Sequence, residues 1–210
     1  MAKKIYVVWK GREIGVFNDW NKCKLAIHGF PGAKYKAFNS LETANKAFAD
    51  GFERHWGQET KFKSELSEEQ IAAIGEPVYP SIAVDAAWNT ETLLMEYQGV
   101  DTKNGTKIFH QGPFEEGTNN VGEFLAIVHA LAHLKKSNSK IPIYSDSRNA
   151  IGWVRNKTHR SKLIPSEKNK KLFELLDRAV KWLKENEFEN PILKWETKAW
   201  GENPADFGRK

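Results

Sequence analysis

The sequence predicts an α/β layer fold, a mixed five-stranded sheet flanked by helices, preceded by a small α+β unit. Three observations predict it. From Ser81 onward the apolar pattern switches between strand and helix periods in the order βββαβαβ. Inside that stretch Asn104-Gly105 separates two extended segments, a strong hairpin signal. The charge is also segregated: positions 1–63 hold 12 Lys+Arg against 6 Asp+Glu, while the remainder holds 20 against 21.

In the first unit, 1–50, Ile5-Tyr6-Val7-Val8-Trp9 is β-branched and aromatic and reads as a strand. Gly11 and Gly15 bracket a turn, and Val16-Phe17 resumes an extended run. Asn21 to His28 forms a short helix that Gly29 ends. After Pro31-Gly32, Lys34 to Phe38 alternates basic and aromatic side chains, and Ser40 opens a helix carrying Ala44, Ala47 and Phe48. Residues 51–79 are polar and mixed, from Trp56-Gly57-Gln58-Glu59 through Lys61-Phe62-Lys63. They read as a linker with a short helix over Glu65 to Ile74.

The body, 80–210, opens with a strand over Ser81 to Ala87, followed by strands over Leu93–Val100 and Lys107–Gly112. Gly122 to Lys136 is helix-periodic, with Phe124, Ile127, Val128, Leu131 and Leu134 on one side. Ile141 to Ser145 is a buried-type strand, Asn149 to Arg155 a short helix, and Glu167 to Glu187 a long one. Ile192 to Trp195 is the last strand.

The composition excludes collagen, low-complexity disorder and a disulfide scaffold. No apolar run approaches a membrane span, and the first residues lack the apolar core of a secretory signal. A single cysteine, Cys23, suits a reducing cytoplasm and reads as a small buried residue. The net charge of +5 lies in the first third. That distribution fits either a polyanion anchor on a working domain or a solvated basic surface. His129 and His133 have a spacing that zinc can use, but no third ligand accompanies them.

Four acidic residues stand at unusual places. Asp85 falls inside a strand, where charge is costly unless used or paired. Glu123 begins a helix, Asp146 follows a buried strand, and Asp206 follows Asn203-Pro204-Ala205. Converging at one end of the sheet, they would hold two Mg²⁺ ions, with Mn²⁺ able to substitute. Hard cations prefer oxygen ligands, and a metal pair stabilises both the attacking and leaving oxygens of a phosphodiester. Structural roles are also open. Asn120-Val121-Gly122-Glu123 fits a capping box, Asp146-Ser147 a helix cap, and Asn203-Pro204-Ala205-Asp206 a capped helix start.

In series, these residues resemble type 1 ribonuclease H. The resemblance rests on Val84-Asp85, Thr118-Asn119-Asn120-Val121-Gly122-Glu123, Tyr144-Ser145-Asp146-Ser147 and Asn203-Pro204-Ala205-Asp206, and spans about 85–206. It implies the ribonuclease H-like fold and cleavage of the RNA strand of RNA/DNA hybrids by two metal ions, leaving 5′-phosphate and 3′-hydroxyl ends. Asn119 and Asn120 would face the minor groove, where 2′-hydroxyls lie. The first 50 residues resemble the hybrid-binding, or viroplasmin-like, domain found before many such enzymes. The matches are Lys10-Gly11-Arg12, Gly15-Val16-Phe17, Trp20-Asn21-Lys22-Cys23 and Phe30 to Phe38. By that resemblance Trp20 and Tyr35 contact DNA sugars and Lys36 a phosphate, with double-stranded RNA as a further ligand. The alternative for Trp20 and Tyr35 is a place in a small core. A monomer without membrane attachment, working in the cytoplasm, is expected.

The sequence departs from the family pattern in several places. Ala86-Ala87-Trp88-Asn89 replaces a glycine-rich stretch, and no histidine lies between Trp195 and Glu202, where the family carries a mobile one. Turnover is therefore expected to differ, or Glu196 or Lys198 to substitute. No basic, tryptophan-rich protrusion stands between Arg155 and Glu167. No C-terminal helix is expected after Asp206, and Ala37 stands where a second lysine is common. Two rival readings are a non-catalytic hybrid or double-stranded-RNA binder and a nuclease of this fold with another substrate. Trp200 is a candidate for substrate contact.

Overall fold

The computed structural model describes residues 4–55, 62 and 64–208. The chain forms two compact units, Met1–Phe62 and Lys63–Lys210. The linker motif Trp56-Gly57-Gln58-Glu59, Lys61, Lys63 and the first three residues lie outside the described residues.

The first unit contains β1 (Ile5–Lys10), β2 (Gly15–Phe17), α1 (Trp20–Ile27), β3 (Lys34–Phe38), α2 (Leu41–Asp50) and α3 (Phe52–His55). Its sheet is antiparallel in the order β2-β1-β3. Helix α1 starts at Trp20 because the Asp19 carboxylate accepts from the Asn21 and Lys22 amides at 2.8 and 3.2 Å. Ser40 caps α2 in the same way through the Thr43 amide. Alternation along β1 divides the core between the two sheet faces. Ile5 and Val7 meet Ala44 of α2, while Val8 meets Cys23 and Ala26 of α1. Helix α3, which the sequence did not announce, covers Trp9: His55 stacks on its ring at 6.2 Å and Phe52 meets it edge-on at 6.1 Å.

The second unit contains α4 (Glu68–Ile74), β4 (Ile82–Trp88), β5 (Met95–Asp101), β6 (Lys107–Phe114), α5 (Asn119–Lys136), β7 (Ile143–Ser145), α6 (Arg148–Arg155), α7 (Lys170–Glu185), β8 (Ile192–Lys194) and α8 (Thr197–Trp200). The five strands lie in the order β6-β5-β4-β7-β8. The β4–β5 and β5–β6 pairs are antiparallel, and β4–β7 and β7–β8 are parallel. The mixed sheet is the one the sequence predicts, because each parallel return passes through a helix. Ile82, Val84 and Ala86 of β4 pack with Phe124, Ile127 and Leu131 of α5 and Leu172, Leu176 and Leu183 of α7. Each such large side chain contributes about 1.5–3 kcal/mol when fully buried. A second cluster gathers Ala83, Val100, Tyr144, Trp195 and Ala205.

Residues 64–79, expected as part of the linker, are held against this second unit. The Ser64 hydroxyl donates to the Lys198 carbonyl at 2.7 Å, and the Trp200 indole N–H donates to the Gly75 carbonyl at 2.8 Å. The Val78 amide donates to the hydroxyl of buried Tyr144 at 2.8 Å. Composition does not reveal such a strap, because its partners are backbone groups and aromatic rings more than a hundred residues away for Ser64 and Gly75.

Gly122 sets how closely α5 approaches the sheet. A Cβ built there would lie 2.6 Å from the Ala86 Cβ and 2.7 Å from the Met95 sulfur. Gly152 on α6 has nothing within 4 Å of the equivalent position. Gly122→Val should therefore cost about 2–3 kcal/mol from overpacking, whereas Gly152→Ala should add up to about 1 kcal/mol from helix propensity. Urea titration of the two variants checks the contrast, and equal midpoints would refute the close approach.

Candidate active site

The parallel pairing of β4 and β7 ends at Val84 opposite Ser145. The next residues in the chain direction are Asp85, midway along β4, and Asp146, just past the end of β7, so two carboxylates emerge side by side on adjoining strands. Glu123 reaches the same place from α5, one residue beyond the Gly122 contact with β4. Carboxylate oxygens of Asp85, Glu123 and Asp146 all lie within 4.8 Å of one another. Asp206 borders the same cavity, of about 340 Å³, together with Asn119 and Trp88, but stands outside the tight triple.

The competing structural roles do not account for these acids. Helix α5 begins at Asn119 with Thr118 at its cap and no side-chain cap bond, so Glu123 lies past the position a capping box requires. At α6 the capping residue is Ser147, whose hydroxyl accepts from the Ala150 amide at 3.2 Å, and Asp146 takes no part. No helix starts at Pro204. Instead Asn203 donates to the Val84 carbonyl at 2.9 Å and accepts from the Ala205 amide at 3.0 Å. Gln98, paired opposite Asp85 in the sheet, donates to the Ala205 carbonyl at 2.7 Å. These bonds fasten the turn before Asp206 to both β4 and β5.

The electrostatics are unfavourable in isolation. Burial, reinforced by the Asp146 charge, pushes the Asp85 carboxyl up to about 8, although a hydrogen bond from the Ala86 backbone acts the other way. Burial also raises Glu123, opposed by a side-chain hydrogen bond from Ser147. Glu123 Oε2 is buried without a hydrogen-bond partner among the described residues. A buried, unpartnered oxygen in a set of close carboxylates is the donor arrangement that a hard divalent cation satisfies. The residues present therefore fit such an ion.

Asn119 lines the carboxylate cavity, and Asn120 lines a neighbouring one of about 620 Å³ that also takes Arg148, Asn149, Arg160 and Lys162. The Asn149 amide reaches Asn120 Oδ1 at 3.5 Å. Sequence reasoning passed over Arg148, although it directly follows Asp146-Ser147. It also passed over Gln98 and Asn203 as positioning residues. A glutamine in mid-strand carries a weak signal: a polar side chain among apolar neighbours. Trp200 is not at the cavity. Its ring packs edge-on against Tyr144 and Trp195, at 5.8 and 5.0 Å. Neither Glu196 nor Lys198 borders the cavity.

In the first unit Trp20 and Tyr35 are 41% and 37% exposed, which removes them from the core. Their rings lie 6.0 Å apart, with Tyr6 5.2 Å from Trp20. Lys36 does not join them. It pairs opposite Val7, on the other sheet face from Tyr35, and its ammonium donates to the His55 carbonyl at 3.3 Å. Cys23 is fully buried, and burial pushes its thiol up to about 11, far from a reactive thiolate.

Comparison with known proteins adds the family. A model described as RNase H matches residues 82–189, half of the chain, and one described as Ribonuclease H1 N-terminal domain matches residues 4–48. Ribonuclease H of Saccharomyces cerevisiae is 56% identical over 39 residues, which are 19% of this chain and 11% of that protein. Ribonuclease H1 of Homo sapiens is 24% identical over 192 residues, covering 72% of this chain and 67% of the human one. This chain thus spans a small part of the yeast relative and two thirds of the human one. Among solved structures, RNase H1 from the halophilic archaeon Halobacterium salinarum aligns at 17% identity with a TM-score of 0.36, over 57% of this chain and 89% of its own. With a five-stranded mixed sheet, carboxylates gathered on adjoining strands and a helix, and family matches in both units, this chain belongs to the ribonuclease H family and carries a ribonuclease H1 N-terminal domain.

Proposed function

We propose that this protein hydrolyses the RNA strand of RNA/DNA hybrids at internal positions, leaving 5′-phosphate and 3′-hydroxyl ends. The observation that carries this reading is the triple of Asp85, Glu123 and Asp146 within 4.8 Å, in a chain of this family. These three and Asp206 would hold two Mg²⁺ ions, with Mn²⁺ able to substitute. Bound there, such cations supply positive charge for the negative charge that develops on the phosphate oxygens during displacement. The protein's own groups do the rest. Asp85 and Asp146 present oxygen acceptors at a fixed spacing, because each directly follows the last residue of the parallel β4–β7 pairing. Asn203 and Gln98 hold the turn that carries Asp206. Asn119, on the cavity wall, is placed to read a 2′-hydroxyl, the group that separates RNA from DNA. Arg148, Arg160 and Lys162 offer cationic contacts to the backbone beyond the cleavage point. In the N-terminal unit, the exposed Trp20 and Tyr35 pair supplies a sequence-tolerant platform for hybrid. That unit raises local substrate concentration without entering the chemistry.

Labelled RNA/DNA, RNA/RNA and DNA/DNA duplexes, each incubated with Mg²⁺, with Mn²⁺ and with chelator, test the reading. Only the hybrid should be cut, only in its RNA strand and only with metal. Cleavage of a DNA duplex, or of any duplex under chelation, would overturn it. Asp146→Asn should lower the cleavage rate by about 10³-fold or more while leaving hybrid affinity nearly intact, as measured by gel shift.

Asp85→Asn has a readout independent of turnover. At neutral pH Asp85, pushed up to about 8, must take up a proton on folding, a cost the isosteric amide does not carry, so the metal-free variant should melt several degrees above the wild type there. Saturating Mg²⁺ should raise the wild-type melting temperature, by an amount equivalent to about 2.7 kcal/mol at a hundred times Kd, and raise the variant's much less. Equal metal-induced shifts would remove Asp85 from the ion site. Trp20→Ala should weaken hybrid binding by about tenfold without changing the single-turnover rate at saturating enzyme. Unchanged affinity would refute the platform.

A further inference from the structure

The turn that carries Asp206 crosses one face of the sheet strand by strand. Asn203 is bonded to the Val84 carbonyl of β4, and the Ala205 carbonyl to the Gln98 side chain of β5, at 2.9 and 2.7 Å. Phe207 then reaches β6, where the His110 ring meets it at 6.0 Å between centroids. The register puts these supports on one face: Asp85 pairs opposite Gln98, and Gln98 opposite His110. The three fastened residues are alternate ones. Asp206, between Ala205 and Phe207, borders the carboxylate cavity with Phe207 beside it. Its carboxylate accepts from the Gly208 amide at 2.6 Å. The third support differs from the first two, because a ring contact alone fixes no direction. His110 gains one from Glu96: its Nε2–H donates to Glu96 Oε2 at 2.6 Å, and the Glu96 side chain is only 15% exposed. The Glu96 stem is itself packed against β6, since a Cβ at Gly112 would lie 2.7 Å from the Glu96 Cβ. This bonded, half-buried pair stands beside the site yet outside the cluster of three carboxylates.

We propose that His110, anchored by Glu96, is a positioning residue for Asp206: it seats Phe207 and thereby aims the fourth carboxylate at the ion site. The proposal rests on the two-ion reading above. Asp206 lacks what fixes the other three acids. Asp85 and Asp146 directly follow paired strand residues and Glu123 sits on a long helix, whereas Asp206 lies in a turn outside any helix or strand. The bonds at Asn203 and Ala205 hold that turn on one side of Asp206 only. Without an anchor at Phe207 the segment after Ala205 would swing about that point, and the carboxylate would swing with it. His110 supplies the anchor on the far side. The chain of contacts runs from Glu96 to His110 to Phe207 and on to Asp206, and only the last of these would touch an ion. Groups of this kind orient a ligand and set its affinity without touching the metal themselves.

Mg²⁺ alone is the probe, titrated into the full chain and followed by calorimetry and by the amide resonance of Gly208, whose bond to Asp206 Oδ1 reports where that carboxylate points. His110→Ala should weaken Mg²⁺ binding by about tenfold, the lower end of effects from groups that act through a ligand. It should also move the Gly208 resonance before any metal is added. Glu96→Gln, which keeps an acceptor for His110, should cost less than Glu96→Ala. In an Asp206→Asn background, His110→Ala should change the Mg²⁺ affinity no further, because the group it aims is already gone. A merely structural role would add its loss there as well. Melting curves without metal report the folding of each variant. His110→Gln, which keeps a donor for Glu96 but not the ring on Phe207, repeats the test where alanine unfolds the chain. Wild-type Mg²⁺ affinity in folded His110→Ala, an unmoved Gly208 resonance, or full additivity with Asp206→Asn would overturn the proposal, and the nuclease reading would stand if the wild type still cuts hybrid with metal. A wild type that binds no Mg²⁺ overturns both.

Discussion

Three carboxylates held within 4.8 Å of one another are the constraint on which the rest of the second unit depends. Left alone they repel, and burial pushes Asp85 up to about 8. A chain free to relax would move them apart. They stay together because each is fixed by something costly to move. Asp85 and Asp146 are tied by the parallel β4–β7 ladder, and Glu123 by a helix whose Gly122 lies against Ala86 and Met95. The buried core between sheet and helices thus holds a local electrostatic conflict in place. Such stored unfavourable energy is a common mark of a functional site, because a ligand of opposite charge releases it.

The same logic explains two bonds that look incidental. Asn203 and Gln98 are polar groups buried at 4% and 7% exposure, and each spends its hydrogen bond on the turn that leads into Asp206. Direct bonds to β4 and β5, together with Ala205 buried among Ala83, Val100, Tyr144 and Trp195, hold this turn in place. The strap over 64–79 does comparable work for Tyr144 and Trp200, whose polar ends would otherwise lack partners beside an apolar cluster.

In the N-terminal unit, strand alternation separates side chains that one short motif joins in the sequence. Tyr35 and Lys36 are neighbours in the chain, yet they face opposite sides of the sheet. Tyr35 joins Trp20 and Tyr6 in an exposed aromatic group, while Lys36 is engaged with the His55 carbonyl and Lys34 lies 3.5 Å over the Phe52 ring. The unit's core is two small clusters, so the third layer that α3 adds over Trp9 is a sizeable share of its packing.

Much of this was legible in the chain alone. Period and turn chemistry announced all five strands of the body and its long helices, since alternation and the helical repeat are local properties. The places of Asp85 inside a strand, Glu123 near the start of a helix and Asp146 after a strand were equally readable, as was the Asn104-Gly105 hairpin. What the sequence left open was every question of partnership. It could not tell a capping box from a helix that begins at Asn119, a loose linker from a strap bonded to Lys198 and Tyr144, or a substrate-facing Trp200 from one packed on Trp195. Hydrogen bonds and contacts between residues far apart in the chain leave no period in it. Local pattern named the carboxylates, and only the folded arrangement of strands, helix and turn brought three of them to contact distance with the fourth at the cavity's edge.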